Sequence, residues 1–295
     1  MADTTWETRL KKSLKKIGGR LFEDRADYPN CCLGLDFTGV SFPKTAIELL
    51  REYPQLKALR LRHISEDDFR ELASLDQVET LLFFGSIPAN LSQEIKKLRN
   101  LRSLHFLGVP INDLEFNAAI TACLNLTSLS VDENPNLTNE ALRNIGLLAN
   151  LEKLHVVEIA IDDLALEFIR KAPSLRSLGL GNTDVTDEGL PNLSELKNLE
   201  VLDLSGTWIT DQGIPALMEL DKLKCLGLAG CNISSKALQY LKSLRNLQNL
   251  DLIGLGIADS DLKKFLRDHP NPNLKVRLVL GTYFTASGEI KGGWS

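Results

Sequence analysis

The sequence predicts an α/β solenoid of the horseshoe type, with a parallel β-sheet along its concave side and short helices or 3₁₀ turns along its convex side. Three observations carry this. A pattern L-x-x-L-x-L returns about every 24 residues, its first position falling at Cys32, Leu56, Val78, Leu101, Leu126, Leu151, Leu175, Leu199, Leu223 and Leu247. The fourth and sixth positions are apolar throughout, as in Leu59/Leu61, Leu104/Phe106, Leu178/Leu180 and Leu250/Leu252, and a period of two is what a half-buried strand requires. No linker rich in Gly, Pro or Ser breaks the 295 residues, so one elongated array is expected rather than several domains.

In chain order, residues 1–31 come first. Trp6, Leu10, Leu14, Ile17 and Leu21 recur at fours and threes, opposite Lys and Arg, which predicts an amphipathic helix that Gly18-Gly19 ends. Covering the first repeat is the expected role. A basic amphipathic helix also suits an anionic membrane surface, so Trp6 to Leu21 is the candidate membrane contact.

Residues 32–273 hold about ten repeats. In the copy beginning at Leu199, Leu202 and Leu204 point inward, and Val201, Asp203 and Ser205 outward onto the concave face. Thr210-Asp211 reads as a helix cap, a device repeated at Thr186-Asp187, Ser234-Ser235 and Thr138-Asn139. Ile214, Leu217 and Leu220 follow at threes, the spacing of a short helix or 3₁₀ turn. Residues 274–291 are expected to supply a closing strand from Val276 to Phe284, and Gly292-Gly293-Trp294-Ser295 has the look of a tag remnant.

The motif, sustained over about nine tenths of the chain, resembles the leucine-rich repeat family. The T-D-x-G-L wording is similar to short bacterial repeats and to the cysteine-containing type found in F-box proteins. The resemblance implies that Thr207, with Thr183 and Cys231 at the same place in neighbouring copies, bonds backbone at the turn after the strand. It also implies a non-enzymatic scaffold that binds another protein or peptide.

Composition narrows the classes further. A net charge of −5 argues against general nucleic-acid binding, although residues 1–20 carry a local +4. Cys31, Cys32, Cys123, Cys225 and Cys231 form neither a C-x-x-C pair nor an even set, so neither disulfides nor zinc is expected. No signal-peptide-like or membrane-spanning apolar run is present, and a cytoplasmic setting is the expectation. No phosphate-binding, hydrolase or metalloprotease motif occurs, so no catalytic residue, cofactor or metal is expected. His105 and His155 fall at the same strand position two repeats apart, about 10 Å, too far to share a metal. They read as surface contacts. Cys225 faces the concave side with no histidine in its own or flanking repeats, which leaves it without a general base.

Strand parity then names the concave face. Leu82, Phe84 and Leu107 are expected there as an exposed apolar centre, with Arg60, Arg62 and His105 as a basic rim, the composition of a protein-binding hot spot. The competing reading is that the short 22-residue period turns these side chains inward. Further along, Asp203 and Asp251 lie among Gly179, Gly181 and Gly227, an acidic, small-residue surface suited to a basic segment. Two other functions fit the same sequence: a membrane-surface adaptor using the N-terminal helix, and a recognition or regulatory subunit of an enzyme complex. The pattern sets no oligomeric state.

Overall fold

A computed structural model describes residues 5–23, 33–279, 282–286 and 288–291. Cys31, Cys32 and the tag-like residues 292–295 lie outside the described residues. The chain divides into two compact units, Met1–Asn136 and Leu137–Ser295.

Unit one begins with helix α1 (Thr5–Ile17), which ends at Gly18 in the left-handed conformation (φ 74°). Gly19 follows because a Cβ there would stand 2.5 Å from the Phe37 ring. Leu10 and Leu14 of α1 are fully buried, and the Trp6 ring lies 5.9 Å from that of Tyr53. Leu21, expected on the helix, instead sits on strand β1 (Arg20–Glu23), which runs antiparallel to β2 (Leu33–Ser41). The two glycines stop the helix one turn earlier than the apolar spacing alone implies.

From β2 the strands run parallel in chain order: β3 (Leu56–His63), β4 (Thr80–Phe84), β5 (Ser103–Leu107) and β6 (Ser128–Asp132). Between them lie helices α2 (Thr45–Glu52), α3 (Glu66–Leu72), α4 (Leu91–Ile95) and α5 (Asp113–Thr121). The register aligns Leu35, Leu59, Leu81, Leu104 and Leu129 in one inward row, and Phe37, Leu61, Phe83, Phe106 and Val131 in the next. All are buried. Phe83 and Phe106 stack at 5.8 Å, and Phe69 and Phe116 meet them edge-on from α3 and α5, adding directional ring contacts to apolar burial.

Unit two pairs β7 (Lys153–His155), β8 (Ser177–Gly179), β9 (Val201–Asp203), β10 (Cys225–Gly227), β11 (Asn249–Asp251) and β12 (Lys275–Val279) in parallel. The single closing strand expected at the C-terminus is instead a meander, because β13 (Thr282–Thr285) folds back antiparallel on β12 and β14 (Gly288–Lys291) antiparallel on β13. The returns between parallel strands are mostly 3₁₀ turns, including Leu190–Glu195 and Ile214–Glu219, with helices α6 (Asp163–Ile169), α7 (Leu238–Leu241) and α8 (Asp259–Asp268) among them. Leu190/Leu193/Leu196 and Ile214/Leu217/Leu220 are buried at threes, matching three residues per 3₁₀ turn.

Two devices fix the turns, the first mostly within a copy and the second between successive copies. Thr183 and Thr207 hydroxyls donate to Leu180 and Leu204 carbonyls, at 2.7 and 2.6 Å, and the Cys231 thiol reaches back to Leu204 O at 3.1 Å. On the far side of each turn, the Asp187 carboxylate accepts both the N–H and the hydroxyl of Thr210 in the next copy, as Asp163 does from Thr186 and Asp211 from Ser234. Thr186, Thr210, Ser234 and Thr138 oxygens also accept the N–H two residues ahead, as the capping reading expected. The glycine of T-D-x-G-L has a packing cause: a Cβ on Gly213 would stand 2.2 Å from Asp187 Oδ1, and one on Gly189 2.3 Å from Asp163 Oδ1.

Candidate recognition surface

On the sheet face opposite the core, unit one presents two rows. The register aligns Arg20, Asp36, Arg60, Leu82, His105 and Ser130 across β1 to β6, and Arg60 to Leu82 and Leu82 to His105 are direct neighbours. Beside it, Phe84, Leu107 and Asp132 are aligned across β4 to β6. Leu82, Phe84 and Leu107 are half-buried, while Leu81 and Phe83 are fully buried, so the outward parity stands. The 22-residue period does not turn them into the core, because the ladder from β3 to β5 runs without a bulge.

Phe22 is a member of this surface that the repeat pattern misses. It lies on Gly34, where a Cβ would meet its ring at 2.6 Å, and the Arg60 guanidinium stacks over it at 4.1 Å. Arg62 is exposed and lies over the Phe84 ring at 5.8 Å. The missed signal was present at residues 20–23, where Arg-Leu-Phe-Glu alternates with Leu21 as the inward member.

His105 departs from expectation. It is only 8% exposed and so does not stand at a rim. In a parallel sheet a central-row side chain is walled by both neighbouring strands, here Leu82 and Ser130. The Asp36 carboxylate is turned onto its own chain, accepting the Thr38 N–H at 2.8 Å and hydroxyl at 2.7 Å.

Unit two is less open than its composition suggests. Asp251 is 5% exposed and forms a close ion pair with Arg277 of β12, so it is not an available acidic group. Its partner lies on the closing segment, beyond the ten copies that the motif aligns. Asp203 is half-buried, and its Oδ1 accepts the Ser205 N–H at 3.0 Å and hydroxyl at 2.6 Å. The glycines serve these side chains: a Cβ on Gly227 would be 2.3 Å from Asp203 Oδ1, and one on Gly179 3.3 Å from the His155 ring. His155 is half-buried, with Nε2 3.3 Å from Ser177 Oγ.

Among the described residues no group of three or more His, Cys, Asp or Glu is placed to hold a metal, and no helix is long and apolar enough to cross a membrane. Burial raises the Cys123 thiol to about 12 and raises Cys231 as well, which keeps both protonated at neutral pH. Cys225 is half-buried, with Asn249 Nδ2 3.5 Å from its sulfur.

Comparison with known proteins agrees with this architecture. Residues 195–218 match the family model described as Leucine Rich repeat. An internalin (inlF) from Listeria monocytogenes superposes with a TM-score of 0.51 at 21% identity, over 84% of this chain and 80% of that one. An internalin C2 (inlC2) from the same organism gives a TM-score of 0.49 at 24% identity, over 72% of this chain and 83% of that one. No curated protein sequence matches the chain. The repeated motif, the parallel ladder of the strands within each unit and the match at 195–218 together show a leucine-rich repeat fold.

Proposed function

We propose that the protein is a non-enzymatic interaction scaffold that holds a partner protein or peptide on the outward sheet face of unit one, around Leu82, Phe84 and Leu107 with Arg60 and Arg62. One observation carries the reading: three large apolar side chains remain half-exposed in adjacent strands, beside two arginines stacked on aromatic rings. A contiguous apolar patch of this kind marks an interaction site more often than chance, and aromatic residues with arginine dominate binding hot spots. Helix α1 acts in this reading as the cap of unit one. Its Leu10 and Leu14 are committed to the core, so the apolar face that membrane insertion requires is not free.

The test compares the protein with a Leu82→Asp/Phe84→Asp double variant as baits in parallel capture from the native source. The variant is expected to keep its melting temperature within a few degrees and to lose the partner retained by the parent. A variant that folds and retains that partner moves recognition to another surface, with Asp203 and His155 of unit two the next to be changed. Failure of the variant to fold would show that both side chains are structural.

A further inference from the structure

We infer that the partner segment held by unit one is acidic as well as apolar: an extended peptide with a carboxylate one to three residues from a bulky apolar side chain. This rests on the reading of the unit-one face as a binding surface and names the class of ligand it takes.

The argument starts from the two arginines. Among the described residues neither guanidinium is paired with a carboxylate, and each instead lies over an aromatic ring, Arg60 on Phe22 and Arg62 on Phe84. Arg51 on α2 and Arg70 on α3 are by contrast neutralised internally, by Glu71 at 3.0 Å and Asp67 at 2.6 Å. Asp36, next to Arg60 in the register, spends one oxygen on Thr38 rather than on the arginine. Stacking on a ring occupies the flat face of a guanidinium and leaves its in-plane N–H donors directed outward, the geometry that binds a carboxylate through two parallel hydrogen bonds. Because the Phe22 ring already holds Arg60 at 4.1 Å, less of that side chain's entropy is lost when an anion arrives.

The spacing sets the ligand. Leu82 neighbours Arg60 directly, and Phe84 and Leu107 follow on adjacent strands. Strands stand about 4.8 Å apart and an extended chain rises about 3.3 Å per residue. One or two strand spacings from arginine to apolar side chain therefore correspond to about one to three residues of partner. Single-stranded RNA would also offer anions, but the chain's net charge of −5 opposes a phosphate backbone.

The experiment selects binders from a random dodecapeptide library on the full chain, then measures the enriched peptides by fluorescence anisotropy. The comparison proteins are Arg60→Gln/Arg62→Gln and Phe84→Ala/Leu107→Ala, both checked for an unchanged circular dichroism spectrum. Arg62→Gln alone serves if the arginine double variant does not fold, since Arg62 is exposed. The expected result is enrichment of Asp or Glu within three residues of Leu, Ile, Phe or Trp, with affinity falling about tenfold or more in both variants. Enriched peptides that lack acidic residues and bind the arginine variant normally would overturn this inference while leaving the apolar surface as a binding site. Peptides indifferent to all four substitutions, or no enrichment, would overturn both readings. Tighter arginine-dependent binding of a fluorescent single-stranded 12-nucleotide RNA than of any selected peptide would replace the peptide with nucleic acid.

Discussion

Neighbouring residues on one strand can face opposite environments, and Leu202 and Asp203 show how far the outward member can still be structural. Leu202 is 1% exposed, so Leu202→Ala should cost about 2 to 5 kcal/mol through lost transfer energy and a cavity. By parity alone Asp203 is a surface residue whose removal costs almost nothing. Its carboxylate, however, holds the Ser205 N–H and hydroxyl and fills the space that Gly227 leaves. Asp203→Ala should therefore cost about 1 kcal/mol, the usual net value of such a bond. Urea unfolding of the two variants would check the ratio. Equal losses would show that the inward assignment of Leu202 is wrong.

Within an element, the turn after each strand from β4 to β11 obeys one backbone rule that its side chains only partly advertise. Gly85, Gly108, Glu133, Glu158, Asn182, Gly206, Gly230 and Gly254 all have positive φ, and all stand at the eighth position of their copies. Where this position is Gly108 a Cβ would touch nothing within 4 Å, so Gly108→Ala should cost only the backbone strain, about 1 kcal/mol. Gly213, by contrast, must leave room for the Asp187 carboxylate bonded to Thr210. Gly213→Ala should cost more than Gly108→Ala, because its Cβ displaces the carboxylate that ties two copies together; thermal melts in which Gly108→Ala is the more damaging would sink this account. Helix α1 is the larger element whose loss is informative. Removing residues 1–18 should uncover the apolar end against which Leu10 and Leu14 pack, lowering the melting temperature and promoting association in sedimentation. A truncated chain as stable and monodisperse as the parent would mean that α1 is not a cap.

For the whole molecule, acid should be the weak condition. His269 is buried against Phe265, and its Nδ1 accepts the Asn271 N–H. Desolvation pushes its pKa below the ordinary 6.5. Since the unfolded chain then binds the proton more readily, the stability this site contributes is complete above about pH 6.5 and declines as pH falls below it. Glu94, Glu200 and Asp268 are held low by the lysines and arginines that bond them, so their smaller, solvent-screened contributions disappear at still lower pH with the same sign. Stability measured from pH 8 to 5 should fall in the protein and fall less in His269→Gln; identical slopes would assign the loss elsewhere. What the sequence by itself determined was the repeat, the inward rows, the caps and the outward parity of Leu82, Phe84 and Leu107, because each follows from local periodicity and from short-range hydrogen bonding. Only the tertiary structure decided which outward residues are accessible. It buried His105 between two strands, neutralised Asp251 with Arg277 and laid Phe22 under Arg60. Parity says which side of a sheet a residue is on, whereas exposure depends on side chains from neighbouring strands, 23 to 38 residues away in sequence in these cases, and no pattern within one repeat encodes them.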